Sequence, residues 1–163
     1  MPVKEIFPMR NDFLQGADKG ICTCIALVWA RKTLLKGSGL DSYRELGLDD
    51  HTMNAQMAKL RKLDNQPAEQ CELVGLKPDG PDTTIRSIDD VINKTKASAS
   101  GVAIFWTQTH TMGYRYASKE KEFFDNEKGL YRAELTDDLK KKMTDIISPN
   151  GPVIGLRLLK LPS

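Results

Sequence analysis

Gly20 opens the stretch that most limits what this 163-residue chain can become. From Ile21 to Ala30 it is almost wholly apolar, with Ile25, Ala26, Leu27, Val28, Trp29 and Ala30 in unbroken succession. Arg31, Lys32 and Lys36 follow, and Gly37 and Gly39 lie beyond. Cations in a last turn and glycine just past it mark a helix end, where orphan carbonyls need complementing. The segment reads as a helix of about four turns. A helix apolar nearly all round has to be buried between other elements. The remainder must therefore supply a layer to cover it, which a chain of this length can do.

That remainder divides by pattern. The first twenty residues, with Pro2, Pro8 and Gly16, look irregular. Asp49 or Asp50 can cap a second helix to Leu63, with Met53, Met57 and Leu60 on one face and Lys59, Arg61 and Lys62 facing water. Asn65 to Thr84 carries Pro67, Pro78, Gly80 and Pro81 and reads as loop, with a short strand at Glu72–Leu76. Thr84 to Ala97 reads as a helix with Ile85, Ile88, Val91 and Ile92 as its stripe. Gly101 to Tyr116 is strand-like, and Asn126 to Gly129 is a turn. Thr136 to Ile147 reads as an amphipathic helix capped by Thr136, and Val153 to Leu161 as a closing strand. Helices come first and an antiparallel sheet last, which is the α+β order. The expectation is one domain over 1–163, mainly helical over 1–99 and sheet over 100–163.

Composition removes several classes of function. Hydrophobic residues make up 40% and charged residues 28%, the proportions of an ordinary globular protein. A net charge of +2 is too mild to predict a nucleic-acid or anionic-membrane partner. No apolar run approaches the roughly 18 residues of a membrane span. The opening MPVKEIFPMRNDF has no apolar core of a signal peptide, so export by a cleaved leader is not expected. Three cysteines, Cys22, Cys24 and Cys71, are too few for a disulfide scaffold and fit synthesis in a reducing cytosol.

The chemistry-bearing residues are Cys22, His110 and Asp125. Cys22 leads the apolar helix, where unpaired N–H groups and the helix dipole favour a thiolate. A free cysteine is also often a small buried hydrophobe, and Cys24, on another side of the helix, reads as one. His110 ends the run from Val102 to Thr109. The other histidine, His51, reads as a solvated neighbour of a helix cap. Met112 to Asp125 folds as a hairpin with Ala117-Ser118-Lys119-Glu120 at its tip. If Tyr116 pairs with Lys121, Asp125 stands opposite Met112 and diagonal to His110, at roughly 7–8 Å between Cα atoms. A carboxylate there can orient the imidazole and stabilise its charged form. A nucleophile, a base and an orienting acceptor in this order suit acyl transfer through a thioester. The oxyanion would need donors, for which the Cys22 backbone N–H and the Gln15 side chain are candidates.

Those same residues carry a resemblance. Gly20-Ile21-Cys22, with Ala26 and with Trp29 seven positions after the cysteine, resembles the G-x-C-x-x-x-x-x-x-W pattern of YopT-type cysteine proteases, a papain-like bacterial effector family. His110-Thr111-Met112-Gly113-Tyr114-Arg115 resembles the family's H-A-x-[GA]-[FL] strand. Phe123-Phe124-Asp125-Asn126-Glu127-Lys128-Gly129-Leu130-Tyr131-Arg132 resembles its F-F-D-P-N-x-G-x-[FY] motif. Asn126 stands where the motif has proline, and Thr23 and Cys24 depart from the residues usual after the nucleophile. The resemblance implies a papain-like fold and no cofactor. It also implies a virulence effector secreted without a cleaved leader, through a type III or type VI apparatus, that cleaves a protein or peptide-like substrate in a target cell. A secretion chaperone or apparatus protein is a further partner it implies.

Other readings keep part of this pattern. An amidase or deamidase would use the same triad, because each passes through a thioester. A binding module would keep the fold with a relic site. A zinc site on Cys22, Cys24, Cys71 and His110 is a poor match, since a C-x-C pair lacks a second close pair. No metal is expected.

Overall fold

The computed structural model describes residues 3–9, 19–47, 67–96, 101–116 and 119–162. The expected helix from Asp49 or Asp50 to Leu63, together with His51 and Gln15, lies outside the described residues.

An eight-stranded antiparallel sheet organises the molecule. Its strands are β1 (Lys4–Pro8), β2 (Lys77–Pro78), β3 (Thr83–Thr84), β4 (Val102–Thr107), β5 (Thr111–Arg115), β6 (Lys121–Asp125), β7 (Gly129–Ala133) and β8 (Val153–Lys160). Their spatial order is β1-β7-β6-β5-β4-β8-β2, with β3 also paired to β8. The described helices are α1 (Lys19–Lys36), α2 (Pro67–Leu73), α3 (Ile88–Thr95) and α4 (Thr136–Ile147). Helices packed on an antiparallel sheet make this an α+β fold.

Helix α1 behaves as its sequence dictates. Cys22 and every residue from Cys24 to Ala30 are buried. The helix stops where Gly37 turns to φ +76° and its N–H bonds Thr33 O at 3.0 Å, a left-handed cap that glycine adopts without strain. One face of the sheet receives it. The Trp29 ring stacks on Phe124, centroids 5.4 Å apart and planes within 3°. The same ring lies so close over Gly113 that a Cβ there would collide with it. The other face carries a second core of Phe105, Met112, Tyr114, Phe123 and Tyr131, closed by Val91 and Ile92 of α3 and by Leu139, Met143 and Ile147 of α4. Each such aliphatic side chain contributes about 1.5–3 kcal/mol on burial.

Several elements differ from the sequence reading, each for a local reason. Gly101 to Tyr116 is not one strand: it reverses at Gln108–His110 into the hairpin β4–β5, with Trp106 opposite Thr111. The first twenty residues are not irregular throughout, since Lys4–Pro8 forms an edge strand on β7. Glu72–Leu76 is not a strand. Pro67 opens α2, as proline suits a first helical turn, and the helix buries Cys71 completely. Helix α3 starts at Ile88 rather than Thr84 because Thr83 and Thr84 pair with β8. Ser87 caps it, accepting from Asp90 N at 3.2 Å. Thr136 does not cap α4. It already lies inside the helix, Leu135 holds the cap position without a side-chain bond, and the Thr136 hydroxyl bonds the Tyr114 phenol. Three strands of the sheet, β1, β2 and β3, come from before residue 100. Among the described residues, no helix is long and apolar enough to cross a membrane.

Candidate active site

Three segments meet where the first turn of α1 reaches the end of the β5–β6 pair. The hairpin register places the histidine and the aspartate. Gly113 pairs with Phe124, Tyr114 with Phe123 and Arg115 with Glu122, the pairing that puts Asp125 level with Met112. His110, one residue before β5, and Asp125, the last residue of β6, therefore meet. His110 Nε2 lies 3.0 Å from Asp125 Oδ2, with both side chains only 2% exposed. Alternation along β6 explains the Phe-Phe-Asp sequence: Phe123 enters one core, Phe124 meets Trp29 on the opposite face, and Asp125 reaches the histidine.

Each partner is held by its own backbone. Thr107 N bonds His110 O at 2.8 Å, and the Thr107 hydroxyl accepts from His110 N at 3.1 Å and from Thr109 N at 3.2 Å. This closes the β4–β5 turn without glycine or proline. Asp125 Oδ1 accepts from Glu127 N at 2.7 Å, and Lys128 N bonds Asp125 O at 3.2 Å. Such an Asx turn leaves Oδ2 for the imidazole.

Cys22 comes from the other side of the interface. It is 8% exposed, and its side chain hydrogen-bonds the His110 ring. With Nε2 engaged by Asp125, Nδ1 is the ring nitrogen left to serve the sulfur. Burial works against a charged ring, but Asp125 and Cys22 together outweigh it and push the His110 pKa up from 6.5 to about 10. The ring therefore carries its second proton at neutral pH and presents a cation to the sulfur. The start of α1 adds the partial positive charge of its dipole. A sulfur, an imidazole and a carboxylate in this chain can pass a proton along and form a covalent intermediate at sulfur.

The other residues singled out in the sequence fall elsewhere. Cys24 and Cys71 belong to the α1-side core. Among the described residues, the side chains able to hold a metal ion together are His110, Asp125 and Glu127, with ligand atoms within 4.8 Å of one another. The cysteines do not join that group. An ion there would have to take Asp125 from the histidine.

The sequence reading missed Thr107, which carries no strong turn signal, since a threonine hydroxyl closes a turn more weakly than Asn, Asp, Gly or Pro mark one. It also missed Arg157. That buried side chain grips Asp82 twice, Nε to Oδ1 at 2.8 Å and Nη2 to Oδ2 at 3.1 Å, and donates to Gln70 Oε1 at 3.3 Å. Its guanidinium lies 5.5 Å from the Trp106 ring, which rests where a Gly155 Cβ would be. This ties segment 67–84 to β8. Nothing in the spacing of Asp82 and Arg157, 75 residues apart, announces their pairing.

No protein-family model and no curated protein matches the chain by sequence. Solved structures do match in shape. PatoxP, a cysteine protease-like domain of the Photorhabdus asymbiotica toxin PaTox, superposes with a TM-score of 0.63 at 13% identity, over 93% of this chain. The chain spans about half, 52%, of the length of that structure. The Pseudomonas avirulence protein AvrPphB, a YopT-family effector, superposes with a TM-score of 0.56 at 11% identity, over 99% of this chain and 97% of its own. The likeness to YopT-type proteins read from two short motif blocks thus extends to the whole architecture, and the chain has the papain-like α+β fold of cysteine protease-like bacterial toxin and effector domains.

Proposed function

We propose that the chain is a papain-like thiol hydrolase in which Cys22 is the nucleophile, His110 the general base and acid, and Asp125 the group that orients the imidazole. The observation that supports this most directly is the hydrogen-bonded chain from the Cys22 side chain through the His110 ring to Asp125 Oδ2. His110 holds the Cys22 proton, and the thiolate attacks the carbonyl carbon of an amide. The C–S bond forms as the carbonyl pair moves to oxygen. That oxyanion collapses, the C–N bond breaks, and His110 gives its proton to the leaving amine. Water, deprotonated by His110, then attacks the thioester carbonyl; the C–S bond breaks, the acid product leaves, and Cys22 returns as the thiolate beside the protonated ring. The Cys22 backbone N–H and Gln15 are the proposed oxyanion donors.

The substrate class we propose is a protein or peptide amide in a target cell, and the setting a secreted bacterial virulence effector. The named neighbours, a toxin domain and an avirulence protein, support this setting. The same residues would serve an amidase or a deamidase.

The test is competitive labelling of the full chain with iodoacetamide at neutral pH, read per cysteine by mass spectrometry. Cys22 is expected to label far faster than Cys24 and Cys71, and Cys22→Ala to remove both fast labelling and hydrolysis. Three uniformly slow thiols would sink the nucleophile and leave a binding module. Loss of labelling in Cys24→Ala instead would move the nucleophile.

A further inference from the structure

The hydroxyls of Thr23 and Thr111 lie 2.8 Å apart and join segments 88 positions apart in the chain. Each threonine directly follows a member of the candidate pair, Thr23 after Cys22 and Thr111 after His110. Thr111 is 7% exposed at the start of β5, and Thr23 is half-buried on α1. One hydroxyl donates and the other accepts.

About two turns further along α1 the contact with the sheet is of another kind. Trp29 lies over Gly113 and stacks on Phe124. Apolar contact is non-directional, so it holds a helix against a sheet while permitting it to slide and roll. A hydrogen bond fixes distance and angle. Along α1, Thr23 and Trp29 are six residues apart, a rise of ~9 Å, so the pair of anchors sets tilt as well as position. The anchor at the Cys22 end is the directional one. His110 is bound from the other side by Thr107, which takes its N–H and reaches its carbonyl. With the histidine fixed in its turn, the remaining freedom is the placement of the α1 tip.

We propose that the Thr23–Thr111 hydrogen bond sets the Cys22 sulfur against the His110 ring, making both threonines positioning residues of the site. This rests on reading Cys22 and His110 as nucleophile and base. Neither threonine needs to touch the reacting atoms. Each acts through its neighbour in sequence, and a small displacement of the α1 tip is enough to lengthen the sulfur–imidazole contact.

The experiment measures the rate of Cys22 alkylation by iodoacetamide in the full chain. Thr23→Val and Thr111→Val remove the hydroxyl while keeping the branched shape, and each should slow Cys22 by about 10- to 100-fold, as misplacement of a reacting group does. The double variant should be no slower than either single one, because both remove the same contact. Thr23→Ser and Thr111→Ser keep the hydroxyl and should restore the rate. The His110 ring, followed by NMR, should titrate at lower pH in the valine variants and return in the serine variants, since the Cys22 contact helps raise it. Valine variants reacting at the native rate would overturn the proposal, as would serine variants as slow as valine ones. If Thr111→Val does not fold, Thr23→Val on the half-exposed side of α1 carries the same comparison. A native chain in which Cys22 is not the fast thiol would instead defeat the nucleophile assignment beneath it.

Discussion

Among the described residues, one face of the sheet is covered by the 18-residue rod of α1 with Cys71 of the short α2 beside it, while α3 and α4 cover the other with helices of 8 and 12 residues. The α3–α4 side is filled by aromatic and aliphatic side chains. The α1 side mixes the same kind of filling with buried ionic groups. Glu122, fully buried, takes a 2.6 Å bond from Arg132 Nε, and Arg132 Nη2 reaches Leu40 O at 2.9 Å. Arg157 holds Asp82 on the same side. Directional bonds of this sort fix where α1 and its flanking loops lie, whereas the other face is held chiefly by packed volume, with the Thr136–Tyr114 bond and the Lys140–Asp89 ion pair at its margin. The candidate site lies at the tip of the directionally fixed layer. The contrast teaches that both sides of the sheet bury a core, and that the α1 side carries in addition the directional bonds that fix geometry.

Substitutions on the two sides should therefore fail in different ways. The largest expected effect is His110→Ala, which should slow Cys22 alkylation by about 10²–10⁴-fold. It should also lower stability by about 3–5 kcal/mol, the cost of leaving the buried Asp125 carboxylate without its charged partner. Met143→Ala on α4 empties a fully buried position and should cost about 2–5 kcal/mol in urea unfolding. The alkylation rate of the folded fraction should stay at the native value. A Met143→Ala chain whose Cys22 slows like the His110 variant would break the contrast between the faces.

The smallest effect is in the pH dependence. His110 titrates at about 10 in the folded chain, above its ordinary 6.5. The folded state holds that proton more tightly than the unfolded one, so this contribution is complete below pH 6.5 and fades as pH rises through about 10. Urea midpoints across this window should fall more in the native chain than in Cys22→Ala, which lacks the sulfur's share. Equal losses in both would show that the ring is not coupled to Cys22.

How much of this was legible in the sequence follows from the range of each interaction. The burial of α1 could be read because a run without a polar face has only one destination. The His110–Asp125 meeting could be read because a hairpin is local and its register carries both residues to one end. The break at Gln108–His110 could not, since a side-chain hydroxyl closes that turn in place of glycine or proline. An edge strand as short as Lys4–Pro8 lacks a pattern long enough to distinguish it from loop. The Thr23–Thr111 and Asp82–Arg157 contacts join distant segments, and no periodicity encodes them.

One edge of the sheet bears on the far end of the proposed triad. Strand β1 passes so near Gly129 that a Cβ there would strike Phe7 O, and Met9 N bonds Lys128 O at 3.1 Å. Those contacts latch the outside of the turn whose inside supplies the carboxylate to His110. The segment up to Met9 is thus a brace on the Asp125 loop, and a chain trimmed past it would keep all three candidate side chains while losing the grip that aims one of them.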